Sequence, residues 1–335
     1  VKAKRPVLIL GPDKSGKSSL LLQIAEKLRQ HKNTPIIFSS SNCIDAASYI
    51  RRNLAHMLSA YPETFHVPKE LFSLSVLELD KKISELKIDD AAKDALKLLL
   101  MFEHDDKIDR QEVIRTFFSF PSLLAETSRS GAVFLVDDAE NLSNLKLGEA
   151  QLSIVFELMK SIKDSTFIFA SPLKLPVEVS ETIELHPFSI DAVRQFMKDH
   201  SLSINEAALS TVYNITGGVP FYLSYFARLI SLSGANTSDS VAALLDDALS
   251  NELHVYYSEK LKLLSPKELP ILFCMAEHSV NTPSRISKLL NYSQTNVRRF
   301  LSIMEEKGFV TLRERGVFEI HDPVFRKWLE QEARK

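Results

Sequence analysis

A chain of 335 residues, 45% apolar and 25% charged, is long enough for two or three buried cores and excludes a disordered or fibrous class. Its formal net charge of −2 excludes a global attraction to nucleic acid, though not a locally basic module. No apolar run approaches the roughly eighteen residues that cross a bilayer, so membrane insertion is not expected. The two cysteines, Cys43 and Cys274, are far apart and read as small buried residues of a reducing, cytoplasmic protein. Because the chain opens on Val1 rather than methionine, an upstream segment is expected.

The first element is an apolar strand at residues 7–10, followed at once by Gly11-Pro-Asp-Lys-Ser-Gly-Lys-Ser18 and an apolar-periodic helix from Ser19 to about residue 29. The loop fits the phosphate-binding pattern G-x-x-x-x-G-K-[ST] without a mismatch. In that pattern, backbone N–H groups of the loop and helix N-terminus make a concave donor surface for phosphate oxygens. Gly11 and Gly16 permit angles and approaches that a Cβ hinders. Pro12, Asp13, Lys14, Ser15 and Ser19 complete the candidate nucleotide-binding set. Lys17 is expected on the β- and γ-phosphates, and Ser18 on Mg²⁺. The plainer alternative is a Gly/Ser turn between strand and helix.

A second buried strand is expected at residues 34–40 and a helix at 45–59. Residues 61–130 contain no convincing strand; their periodic pieces, 74–86, 91–102 and 111–127, read as a helical insertion in an α/β domain. His104-Asp-Asp106 lies between two of these helices and reads as a solvated loop rather than a metal site. The apolar run 131–136 then ends in Asp137-Asp138, a Walker B arrangement. Asp137 is the candidate magnesium ligand, and Asp138 the candidate for orienting the attacking water. An acidic cap on the following helix is the structural alternative. A fourth strand at 166–170 ends at Ser171-Pro172, where Ser171 is either a γ-phosphate sensor or a turn residue. A fifth strand is expected at 181–185, giving an open, mostly parallel sheet.

Beyond it, Asn214-Ile-Thr-Gly-Gly-Val-Pro220 reads as a tight turn between helices, either a simple junction or a lid hinge that carries Pro220 to the nucleotide. Residues 231–240 read as a flexible connection, and helix resumes from 241 to 262. From about 264, three helices and a hairpin around Arg315-Gly316 make a winged helix-turn-helix. Residues 281–335 carry eleven Lys/Arg against seven Asp/Glu, with Arg298 and Arg299 on the third helix and Arg313 and Arg315 on the wing. That pattern suits contact with duplex DNA, while a docking or autoinhibitory module is the alternative.

Taken together, these motifs resemble the archaeal-type ATPases of the AAA-plus/STAND group of P-loop NTPases. The matching segments are Gly11-Pro-Asp-Lys-Ser-Gly-Lys-Ser18, Asp137-Asp138-Ala-Glu140, Ala170-Ser171, Gly217-Gly-Val-Pro-Phe-Tyr-Leu223 and Asp322-Pro-Val-Phe-Arg-Lys-Trp328. The resemblance implies strand order 5-1-4-3-2, ATP or ADP at the loop and a helical lid. It divides the chain into a core at 1–188, a lid at 189–262 and a winged helix at 263–335. Asp138 departs from the family's usual Glu, and Asp13 stands where relatives place a basic residue. No arginine is assigned as a finger; Arg129 and Arg194 are positional guesses. The expected function is a slowly hydrolysing ATP switch coupled to the winged helix, with a protein partner or nucleotide-dependent self-association in addition to DNA as candidate partners. A nucleotide-dependent regulator without turnover, or a DNA-binding protein, is the alternative.

Overall fold

The computed structural model describes residues 6–30, 35–41, 43, 45–61, 64–65, 68–102, 108–128, 132–145, 151–162, 165–320 and 322–334. The loop 104–106 and Arg129 lie outside them. The chain divides into two compact units, residues 1–186 and 187–335.

The first unit is built on five parallel strands: β1 (Val7–Leu10), β2 (Ile36–Ser40), β3 (Ala132–Asp137), β4 (Ser165–Ser171) and β5 (Glu181–Glu184), in the order β2-β3-β4-β1-β5. This is the expected 5-1-4-3-2 order read from the other edge, and it is the sheet of a P-loop NTPase fold. Alternation along each strand sends residues to opposite faces. Leu8, Ile37, Phe134, Val136, Phe167 and Phe169 enter the larger core, whereas Ile9, Leu135 and Ala170 pack with Leu21 and Ala25 of α1 (Lys17–Arg29).

The larger core is filled by α2 (Ala46–Ser59), α3 (Val76–Ser84), α4 (Asp90–Met101), α5 (Arg110–Ser128) and α6 (Gln151–Ser161). The described part of 61–130 contains helices and turns and no strand, as expected, but it is not an appendage. Phe117, Phe118 and Phe120 of α5 are fully buried, and Phe118 packs edge-on against Phe134 and Phe167, whose rings stack 4.9 Å apart. Each such ring contributes about 1.5–3 kcal/mol through burial, so removing the insertion would uncover one face of the sheet.

The second unit is helical: α7 (Ile190–Asp199), α8 (Glu206–Thr216), α9 (Pro220–Ser233), α10 (Ser238–Ser250), α11 (Glu252–Leu261), α12 (Leu269–His278), α13 (Pro283–Leu290), α14 (Gln294–Glu306) and α15 (Pro323–Glu332), with an antiparallel hairpin of β6 (Val310–Glu314) and β7 (Val317–Ile320). The stretch 231–240 is not an extended connection. α9 continues to Ser233, Gly234 caps it at φ 70°, and Thr237 and Ser240 form a capping box that starts α10. The helix expected at 241–262 breaks at Asn251 into α10 and α11. α12 to α14 and the hairpin follow in the order of a winged helix-turn-helix, and one hydrophobic core runs from α7 through α15.

A buried polar knot ties the ends of that core. The Tyr222 hydroxyl of α9 donates to Asp322 Oδ2 and lies 2.6 Å from the Tyr257 hydroxyl. Asp322 Oδ1 accepts the Val324 and Phe325 amides at 3.0 and 2.9 Å, capping α15. Burial, reinforced by the Asp322 charge, pushes the Tyr222 hydroxyl far above its ordinary pKa, so it stays a donor. Two glycines close the knot. A Cβ on Gly217 (φ 59°) would stand 3.1 Å from Pro323 Cγ, and one on Gly218 (φ 72°) 2.1 Å from the Phe188 carbonyl oxygen. Replacing Tyr222 by Phe is expected to lower unfolding free energy by about 1–3 kcal/mol, and Asp322→Ala to lower it further because the helix cap is lost as well. Denaturant unfolding measures both.

Candidate nucleotide site

The sheet register assembles the site. Leu10 pairs with Ser171, and the Gly11 amide donates to the Ser171 carbonyl at 3.2 Å, so the phosphate loop leaves β1 beside the end of β4. Ser40 pairs with Asp137, and the Ser41 amide donates to the Asp137 carbonyl at 3.1 Å. Strand ends of a parallel sheet are where such folds hold ligands.

Within the loop, Lys14 (φ 68°) and Gly16 (φ 92°) adopt left-handed backbone on either side of Ser15. Alternation of this kind turns successive N–H groups toward one point, the basis of an anion nest. Gly11 is required by space, since a Cβ there would meet Ser15 Oγ at 2.7 Å and Leu185 Cβ at 3.0 Å. Lys17 is buried at 6% exposure and its ammonium donates to the carbonyls of Gly11 (2.8 Å) and Pro12 (3.0 Å), arching over the loop. Ser15 Oγ is shielded from solvent without a hydrogen-bond partner. A buried hydroxyl and a buried ammonium facing a nest suit a phosphate group. Ser18 and Ser19 are exposed in the first turn of α1, and Asp13 is exposed on the loop. Ser18 and Asp137 offer the hard oxygens that suit Mg²⁺, which takes few protein ligands when phosphates supply others. Among the described residues no group of three or more His, Cys, Asp or Glu side chains could hold a metal ion.

Asp138 is left-handed at φ 50°, and its amide donates to Asp137 Oδ1 at 3.2 Å. Aspartate tolerates that backbone better than a longer side chain does, which gives Asp138 a local conformational reason to be short. Burial raises its carboxyl pKa, Asp137 and Asp13 add to the rise, and Lys17 opposes it. Asp13, Lys17 and Asp137 are therefore each within electrostatic reach of Asp138.

One further residue joins them. Glu140, in the 3₁₀ turn Ala139–Leu145, lies close enough to Ser171, Asp138 and Lys17 for each to bear on its carboxyl. The sequence places it in the motif but offers no sign that its side chain turns back to β4. Pro220 opens α9 in the second unit. Arg194 is held by Asp191 and by Glu206 at 3.0 Å, which leaves it poorly suited to serve as a finger. Glu140 supplies a pH test. Burial raises its pKa above the unfolded value, so its contribution to stability is complete below the unfolded pKa and is lost as pH rises through the folded one. Glu140→Gln is therefore expected to raise Tm at pH of about 7 and to change it little at pH of about 3, below the ordinary glutamate pKa.

No family model matches the sequence, and no curated protein matches it. The structure superposes on a Walker-type ATPase of Pyrococcus abyssi with TM-score 0.65 and 18% identity over 97% of this chain and 91% of the other. Looser superpositions exist with the RuvB Holliday junction branch migration motor of Thermotoga maritima, at TM-score 0.43 and 14% identity over 96% and 86%. The Orc1 protein of Aeropyrum pernix, solved in complex with DNA, gives 0.47 and 9% over 98% and 87%. With the parallel sheet and the loop after β1, the first likeness is one of fold: the chain has the fold of a Walker-type ATPase.

Proposed function

We propose that this chain binds MgATP at the loop of residues 11–19 and hydrolyses it slowly, as a switch that couples nucleotide state to the C-terminal winged helix. The observation that carries the reading is Lys17, buried and bonded to the carbonyls of its own loop, with the carboxylates of Asp137 and Asp138 at the end of β3. A β- or γ-phosphate offers Lys17 charged acceptors in exchange for two neutral carbonyls, and charge-assisted bonds are the stronger. Ser18 and Asp137 are the residues to hold Mg²⁺, which would bridge phosphate oxygens and neutralise their charge. Asp138 is assigned the attacking water, and Ser171 a bond to that water or to the γ-phosphate. The short, partly buried Asp138 supports slow turnover, and the same feature favours a regulator with none.

Lys17→Ala is expected to weaken ATP binding by about ten- to a hundredfold, the worth of a charge-assisted bond. Calorimetry with ATP and Mg²⁺ measures it, phosphate release on the same samples separates binding from turnover, and unchanged affinity would reject the site.

The DNA-binding alternative is favoured by Arg298 and Arg299, both exposed on α14. Arg299 stacks over the Phe300 ring at 4.8 Å, and Arg315 is exposed at the hairpin tip. Arg313 is a weaker candidate, since Glu319 of the opposite strand pairs with it at 2.9 Å. A protein partner or self-association remains the other use of this module. If α14 meets duplex phosphates, the slope of log affinity against log salt should flatten by about two on replacing Arg298 and Arg299 with alanine. Filter binding to duplex DNA at several salt concentrations reads this, and an unaltered slope would remove α14 from the interface.

A further inference from the structure

Trp328, the chain's single tryptophan, lies on α15 at 1% exposure. Its ring stacks on Phe325 and packs against Tyr257, and its indole nitrogen stands 3.3 Å from Nδ1 of His254 on α11. An indole N–H can only donate, so Nδ1 has to accept, and the imidazole is neutral with its proton on Nε2. The same Nδ1 lies 3.5 Å from Glu332 Oε1, one turn further along α15. One nitrogen thus faces a donor and an acceptor and cannot serve both at once. The His254 side chain is 39% exposed, so a proton reaches it from solvent.

We infer that His254 is a proton-operated latch between α11 and α15: neutral, it holds the Trp328 indole; protonated, it gives up the indole and donates from Nδ1 to Glu332. Imidazole ordinarily makes that change between pH of about 5 and 8. Among the described residues Glu332 is the carboxylate paired with His254. The acids of the neighbouring elements are engaged elsewhere: Asp246 of α10 accepts Gln331 at 3.1 Å, Asp247 accepts Asn251 at 2.9 Å, and Glu252 accepts Tyr225 of α9 at 3.1 Å. Arg326 and Glu330 of α15 pair with each other at 3.1 Å. Negative charge on these elements favours the protonated ring, while Arg228 of α9 and Lys327 and Arg334 at the end of the chain oppose it. α11 precedes α12 to α14 and the hairpin, and α15 follows them, so the exchange alters how the two ends of that module are joined.

The test is the indole N–H resonance in ¹H–¹⁵N spectra of the full chain, one cross-peak because there is one tryptophan. As pH falls from about 8 to about 5, the wild-type proton signal should move upfield as its acceptor is lost. His254→Gln keeps an acceptor and cannot take a proton, so its signal should stay still. Glu332→Gln removes the charge that favours protonation and should lower the midpoint by about 0.2–0.7 pH units, the worth of a partly exposed ion pair. That variant, at the end of α15, carries the test alone if His254→Gln does not fold. A wild-type signal that does not move, the same movement in His254→Gln, or an unchanged midpoint in Glu332→Gln would overturn the inference.

Discussion

Parallel pairing of β1 with β4 and β5 is the constraint on which the first unit depends. It sets Leu10 level with Ser171 and Glu184, so the phosphate loop emerges beside the end of β4. β3, paired on the far side of β4, delivers Asp137 to the same edge. A slip of one residue in any strand would turn its apolar set to the opposite face and exchange the residue at the strand end. The two cores enforce the register, because Phe134, Phe167 and Phe169 fit the helical side and Leu135 and Ala170 the α1 side.

The geometry also sorts what each polar group in the cluster is free to do. Lys17 serves its own loop, Ser171 accepts the Leu173 amide, and Asp138 adopts a backbone hand that favours short polar residues. Asp138 and Glu140 both feel the buried Lys17 ammonium, and Asp138 also feels the carboxylates of Asp137 and Asp13. A divalent cation held there would offset part of that charge.

Much of this was legible in the residues. The apolar runs ending in Gly11, Asp137 and Ser171 carry strand period and chemistry together, so the sheet and most of the site follow from them. What escaped were features set by tertiary packing. The approach of Glu140 to the end of β4 depends on a 3₁₀ turn where a helix was expected, and nothing in Asp-Asp-Ala-Glu distinguishes the two. The break at Asn251 interrupts an otherwise helical pattern and leaves no proline or glycine as a sign. The central place of α5 was hidden because its phenylalanines read equally well as a peripheral helix face. Small polar residues at 231–240 suggested slack, whereas Gly234 and Thr237 are helix caps.

The contact of Gly217 with Pro323 and the bond from Tyr222 to Asp322 bear on how this chain could change over time. They join two segments about a hundred residues apart that read, along the sequence, as separate signatures. Neither can drift alone: a side chain at Gly217 needs room that Pro323 occupies, and a new residue at Asp322 strands a buried phenol. Exchange of the winged helix for another module would therefore have to bring a matching first turn of α9 with it. Within the second unit, a change in either segment constrains the other.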